Sequence, residues 1–284
     1  PPEPDPPGLD QWAASDREGI TTVFCDIDDT LTRDNLLASE AFDAVWRLSK
    51  AGFRVVPVTG RPAGWCDCII RQWPVDAIIG ENGAFAYYLQ GGVRRELYHP
   101  DAGLPGENAK ALAAIADLVY REVPGTRGAK DQPFRQFDIA VDFREEPPYL
   151  DLDAAERIAG IFRDNGAIAK ISSIHVNAWM GRYDKRSMTV LTARQLWGLD
   201  LEGEAGRRSV TFCGDSPNDE PMFAFFPFSC AVANVRDTLK YMTHYPAFVT
   251  GKAHGPGFAE LADSLLAAQG SRDPGRDPGV GTRI

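Results

Sequence analysis

A chain of 284 residues, 44% hydrophobic and 25% charged, is long enough to bury a sizeable core and too apolar for wholesale disorder. Its formal charge of −10 and pI near 4.9 argue against nucleic acid and anionic membrane surfaces as general partners. Any site for an anionic substrate must therefore bring its own local positive charge.

No apolar stretch approaches the length of a membrane span. Five cysteines in a chain this long do not make a disulfide framework, and the C-x-C pair Cys66 and Cys68 has no second pair to complete a zinc site. A cytoplasmic location is expected from this usage.

Residues 1–16 open on the Pro-rich PPEPDPPG, and residues 270–284 are rich in Gly, Pro, Arg and Asp. Both are expected to be mobile tails. The first strong signal is the apolar run Val23-Phe24-Cys25, which ends in Asp26-Ile27-Asp28-Asp29-Thr30. Such a run reads as a strand of a parallel sheet covered on both faces. Carboxylates at its end lie at the sheet edge where open α/β folds bind ligands. Close carboxylates repel unless a cation or a shared proton offsets them, and the alternative reading is a solvated Asp-rich turn.

A helix is expected over 38–51, with Gly52 as its cap, and a strand over 54–58 that runs into Thr59-Gly60-Arg61-Pro62. A helix over 65–72 and a strand over 75–79 follow. Strands alternating with helices imply right-handed βαβ units and a parallel sheet.

The pattern then changes. Residues 84–89 and 93–98 flank Gln90-Gly91-Gly92 and read as a hairpin. Helical periodicity covers 109–123 and 153–165, while 136–144 and 167–180 alternate with period two. Phe137, Ile139, Val141 and Phe143 oppose Gln136, Asp138, Asp142 and Arg144; Ile174, Val176 and Ala178 oppose His175, Asn177 and Trp179. Strict alternation implies a sheet buried on one face, with its polar face left open. Residues 101–182 thus read as an inserted α+β module.

The first pattern resumes with a helix over 185–197, a strand over 209–213 ending in Gly214-Asp215-Ser216-Pro217-Asn218-Asp219, and a closing helix over 257–268. Residues 17–100 and 183–269 therefore form one interrupted α/β core.

Two acids end one core strand, two more follow another, Thr59 ends a third, and Lys185 opens a helix just after the insert. Acids from separate strands can converge on one hard cation, and oxygen-only ligands suit Mg²⁺ rather than zinc. A hydroxyl, an ammonium and helix N-terminal N–H groups can hold the oxygens of a phosphoryl group. Each feature singly has an ordinary reading as a cap, a turn acid or a solvated charge. Their joint order at strand ends favours one divided site.

These residues resemble the haloacid dehalogenase superfamily of aspartyl-phosphate enzymes, in the Cof-like branch with a large α+β cap inserted after the third core strand. The carrying motifs are DIDDT at 26–30, TGR at 59–61, ENGA at 81–84, DK at 184–185 and GDSPND at 214–219, with ANV at 233–235 and GPGFAE at 255–260. The resemblance covers roughly residues 20–268 and implies a Rossmann-like doubly wound parallel sheet with that cap.

It also implies roles. Asp26 is the nucleophile and Asp28 the general acid and base. Mg²⁺ is held by Asp26, the Asp28 backbone and Asp215, with Asp219 behind them. Thr59 and Lys185 bind phosphoryl oxygens, Gly60 and Arg61 share that turn, and Asn218 orients the loop or the phosphate. One departure stands out: position 29, often Gly in this branch, is Asp.

The cap is expected to choose the substrate, with His175, Asn177, Trp179 and Arg182 as candidates for a hydroxyl-rich leaving group. The expected partner is a small phosphate ester such as a sugar phosphate or phosphoglyceryl glycoside, with neither nucleic acid nor membrane involved. A phosphomutase and a catalytically silent binding protein are the alternatives. A dehalogenase is disfavoured, because it needs no acid at position 28 and no metal.

Overall fold

A computed structural model describes residues 5–172 and 174–270. In chain order, α1 (Ala14–Glu18) leads into β1 (Thr22–Cys25), and a small hairpin, β2 (Thr32–Arg33) with β3 (Leu36–Leu37), precedes α2 (Ser39–Lys50). Then come β4 (Arg54–Pro57), α3 (Ala63–Gln72), β5 (Ala77–Gly80), β6 (Phe85–Gln90) and β7 (Val93–Tyr98). The insert holds α4 (Ala109–Glu122), β8 (Arg127–Gly128), β9 (Asp138–Asp142), α5 (Leu152–Asp164), β10 (Ile168–Ile171) and β11 (His175–Trp179). The chain returns through α6 (Lys185–Trp197), α7 (Glu204–Arg208), β12 (Val210–Gly214), α8 (Glu220–Phe225), β13 (Cys230–Ala231), β14 (Phe248–Val249) and α9 (His254–Gln269).

The main sheet has the order β14-β13-β12-β1-β4, and every pairing in it is parallel. β1 lies between β12 and β4, and all four of its residues are buried, as a continuous apolar run requires when helices cover both faces. A parallel bridge from Val58 to Ile79 links this sheet to the antiparallel set β5-β6-β7. Ala41, Ala44, Val45 and Leu48 form the buried face of α2, at helical spacing.

The insert folds around its own antiparallel sheet, β10-β11-β9-β8. Leu112, Val119, Ile158 and Phe162 from α4 and α5 pack on Val141, Phe143 and Val176 on one face of it. The stretch 167–180 is two strands rather than one. Ile168–Ile171 and His175–Trp179 pair antiparallel with each other, so alternation persists through a turn that periodicity alone does not reveal.

The polar face is open only at its edges. Gln136 and Arg144 are exposed, whereas Asp138, His175 and Asn177 are buried toward the core domain and Asp142 is covered by Arg127 of the insert itself.

The N-terminal segment also departs from expectation. Trp12 is 1% exposed and stacks on Phe228 and Phe248, and the Val249 N–H donates to the Pro7 carbonyl. A Pro-rich stretch pairs poorly as a central strand, but it can dress a sheet edge. The expected tail at 271–284 lies outside the described residues, as do residues 1–4.

Where the chain crosses back into the core, Gly83 has φ +108° and a Cβ there would collide with the Asp184 carbonyl. The helix that starts at this crossing is fixed by a reciprocal cap: Asp184 accepts the Ser187 N–H, and the Ser187 side chain accepts the Asp184 N–H.

Candidate active site

Three loops at the carboxyl edge of the parallel sheet meet. Asp26 follows β1 directly, its N–H donating to the Cys213 carbonyl on β12 at 2.8 Å. The loop after β12 brings Asp215 and Asp219 to the same place. Asp26, Asp215 and Asp219 each offer an oxygen within 4.8 Å of the others, and all three are buried. Lys185, at the start of α6, reaches between them: its Nζ lies 2.8 Å from Asp219 and 3.1 Å from Asp26.

The electrostatics are those of crowded acids. Burial, then repulsion from Asp219 and Asp28, pushes Asp26 up to about 7, although Lys185 pulls the other way. Burial and the charges of Asp219, Asp26 and Asp29 likewise push Asp215 well above the ordinary aspartate range. Burial opposes the charge on Lys185, but Asp219 and Asp26 more than offset this and raise its pKa.

One ammonium faces several carboxylates, so the cluster is under-compensated. An all-oxygen donor set of this kind fits a hard divalent cation. Asp219 is the acid least free to ligate: one oxygen takes Lys185 and the other accepts the Asp215 N–H at 3.1 Å. Thr30 and Asn234 donate to the two oxygens of Asp215, at 3.3 and 3.4 Å.

Asp28 sits beside this cluster and is gripped by Arg61, whose Nε and Nη2 lie 2.6–3.0 Å from its oxygens. The same guanidinium lies over the Trp65 ring at 4.4 Å. The buried Thr59 hydroxyl accepts the Arg61 N–H at 3.0 Å, and the Gly60 carbonyl accepts from Arg135 at 3.0 Å. The TGR turn thus places Arg61 on Asp28, a pairing that the motif alone does not reveal.

Asp29 has φ +56°, a left-handed conformation that accounts for a preference for glycine at such a position. Asn234 and His254 both donate to or contact its carbonyl, at 3.1 and 3.0 Å. Asp29 does face the site.

Asp26, Asp28, Asp29, Gly60, Arg61, His175, Asn177, Lys185, Asp215 and Asn218 line one cavity of about 80 Å³. Asn35, Asn82, Arg135, Ser172, Ile174 and Ser216 complete its wall. His175 pairs with Glu145 at 2.8 Å, and Asn177 donates to Asp138 at 3.2 Å.

Two cap candidates fall away. Trp179 is 1% exposed, donates to the Tyr183 carbonyl and stacks on Tyr183, so its ring belongs to the core rather than to the cavity. Arg182 is exposed and lies outside the cavity wall. Thr59 is not among the lining residues either, although its neighbours Gly60 and Arg61 are.

Behind the cavity lies a junction that sequence reasoning missed. Glu81 accepts N–H groups from Ala63 in the core and from Gln136, Phe137 and Asp138 in the insert, at 2.6–3.1 Å. Arg135 bonds both Asp131 and Asp138 and is almost wholly buried. The ENGA motif was visible, but the partners of Glu81 in the insert lie more than fifty residues away, so no local signal connects them.

The family profile of haloacid dehalogenase-like hydrolases matches residues 23–101. Over 61 residues the chain is 38% identical to the phosphoglycolate phosphatase of Methanothrix thermoacetophila, a stretch covering 22% of this chain and 26% of that protein. The match thus spans about a quarter of that relative's length. Among solved structures, a Thermoplasma acidophilum protein superposes with TM-score 0.67 at 17% identity, covering 87% of this chain and 98% of its own. A HAD/COF-like hydrolase from Plasmodium vivax gives 0.66 at 17% identity, over 90% and 99%. The C-terminal domain of C. albicans trehalose-6-phosphate phosphatase gives 0.66 at 13% identity, over 95% and 100%. Residues 23–101 thus match haloacid dehalogenase-like hydrolases, and the fold with its acids at the sheet edge and a cap over them is shared with the solved structures over most of the chain.

Proposed function

We propose that the protein is a Mg²⁺-dependent phosphomonoester hydrolase that works through an aspartyl-phosphate on Asp26. The observation behind this reading is the buried cluster of Asp26, Asp215 and Asp219 with Lys185 among them, at the edge of a parallel sheet. Asp26, Asp215 and the Asp28 backbone would hold the cation, with Asp219 supporting them through Lys185 and the Asp215 N–H. The cation supplies charge screening that lets a carboxylate approach an anionic phosphate.

The residues of the chain divide the remaining work. Asp26 attacks phosphorus in line, and Lys185 holds a phosphoryl oxygen beside the Gly60 backbone. Asp28 gives a proton to the departing alkoxide and later takes one from the water that cleaves the acyl phosphate. Arg61 orients the Asp28 carboxylate by its two-pronged grip.

Residues 101–182 act as the cap that selects the ester. The cavity of about 80 Å³ has room for a phosphoryl group, and the leaving group would extend toward the cap residues that line it. Around the cavity, Arg61, Arg135 and His175 are already paired with acids, and apart from the four aspartates and Lys185 the remaining polar groups are amides and hydroxyls. Such a lining favours a neutral polyol as leaving group, as in a sugar phosphate or phosphoglyceryl glycoside. The likeness to a trehalose-6-phosphate phosphatase domain supports the same class.

A panel of phosphate esters, assayed with Mg²⁺, with EDTA and with Asp26→Asn, tests the reading. Metal-dependent release of inorganic phosphate, lost in the variant, is expected. Release from no ester, or formation of an isomeric phosphate instead, would overturn it.

A further inference from the structure

On the seam between insert and core, against the loop that follows Asp215, lies an open cleft of about 520 Å³. Its charged lining is mainly basic: Lys170 from β10, Arg186 from α6, Arg207 from α7, and His244. In a chain of net charge −10, the average field does not account for this convergence.

Arg186 and Arg207 come from different elements onto one ring. Their guanidinium carbons lie 4.5 and 5.4 Å from the Phe225 centroid. Cation–π attraction explains each contact singly, but together they bring two like charges onto one ring at the mouth of the cleft, where a bound anion would offset them. Among the described residues, Glu220 is the one acid that lines the cleft. It is already engaged, accepting the Thr243 and His244 N–H groups and pairing with the His244 ring at 3.1 Å.

Guanidinium forks match the oxygens of a phosphate, and an ammonium adds a point charge. We propose that this cleft is a second oxyanion site, separate from the Asp26 cavity, which takes a phosphate group between Lys170 of the cap and Arg186 and Arg207 of the core. The assignment does not rest on the hydrolase reading.

Its position gives it a consequence. A narrow cavity of about 40 Å³ lies between the two sites, lined by Lys170 and Pro221 toward the cleft and by Asn82, Lys185 and Asn218 toward Asp26. A phosphate held by Lys170 and Arg186 ties β10 to α6 and so holds the seam shut beside the catalytic cavity. The group can be free inorganic phosphate or part of a phosphorylated metabolite.

Calorimetric titration of the whole protein in EDTA, with inorganic phosphate in one arm and glucose 6-phosphate in the other, separates the two sources. The wild type is expected to show a saturable binding event. Arg186→Gln with Arg207→Gln should weaken it about tenfold or more, since charge-assisted hydrogen bonds are lost. Lys170→Gln, an exposed position, should weaken it about threefold, and it serves alone if the double variant does not fold. Binding in the inorganic arm, or in the ester arm only, supports the site and names its source. An absence of saturable binding in both arms, or equal affinity in all three proteins, overturns the proposal.

Discussion

Two buried charge clusters lie side by side in this protein, and they are finished to different degrees. At the cap–core junction, Glu81 is met by backbone N–H groups from both domains, and Arg135 bonds two aspartates in a closed network. At the sheet edge, Asp26, Asp215 and Asp219 crowd around a single ammonium, that of Lys185. A buried polar network that satisfies itself gives rigidity and a fixed geometry. One that falls short of positive charge is built for something to be added. The junction is built as structure, and the sheet edge is where the proposed chemistry is placed.

The sharpest way to break this contrast is Asp26→Asn. Phosphate release is expected to fall on the order of 10⁴-fold, while thermal unfolding without metal stays at or above the wild-type midpoint. A comparable loss of fold would mean that the acid cluster is structural after all. In the wild type, saturating Mg²⁺ should stabilise by about 2 to 3 kcal/mol at a hundredfold excess over Kd, and EDTA should reverse it. That gain should shrink in the Asp26→Asn protein.

The junction should respond in the opposite sense. Glu81→Gln puts an amide N–H against backbone N–H donors and should cost about 2 to 3 kcal/mol in urea unfolding. Gly83→Ala, at φ +108° against the Asp184 carbonyl, should cost a similar amount, about 2 to 3 kcal/mol. If either change left stability intact, the junction would not be the rigid partner.

Glu81 also sets a pH dependence. Burial first, then Asp138, pushes it up to about 8 from an ordinary 4.5, against the pull of Arg135 and the N–H groups. The folded protein holds this proton more tightly than the unfolded chain does. The stabilisation is therefore complete below about pH 4.5 and is lost as pH rises through about 8. Chemical denaturation across that window should show a falling stability, with a shallower slope in Glu81→Gln.

The smallest effect belongs to Asp29→Asn. Asn tolerates the left-handed backbone, so stability should change by less than about 0.5 kcal/mol. Removing a charge that faces Asp215 should weaken Mg²⁺ binding about threefold, measurable as a shift in the metal concentration for half-maximal stabilisation.

The sheet edge was legible because its signals are local. Apolar runs ending in Asp26 and in Gly214-Asp215 report burial and termination in the same few residues. The junction was not, because Glu81 is defined by partners in another domain, and its left-handed φ of +42° leaves no mark in an ENGA string. Period two correctly separated His175 and Asn177 from Val176 and Ala178. It could not say what would cover the polar face, nor that Trp179 at its far end would turn into the core. Arg61 was placed near the substrate, yet its grip on Asp28 depends on two loops meeting, which spacing does not encode. Composition misjudged the N-terminal stretch, since proline content outweighed one tryptophan.

That stretch has a bearing on how the molecule behaves in a crowded solution. β14 is the outermost strand of the main sheet, and Pro7 and Gly8 lie along it, with Trp12 clamped between Phe228 and Phe248. An uncovered strand of this kind recruits strands from other molecules. Prolines make a poor template for the next strand, so the segment seals the sheet without offering a fresh surface to extend. Residues 5–12 thus cover the outer strand, and Trp12→Ala, which frees them, is expected to raise self-association as read by light scattering.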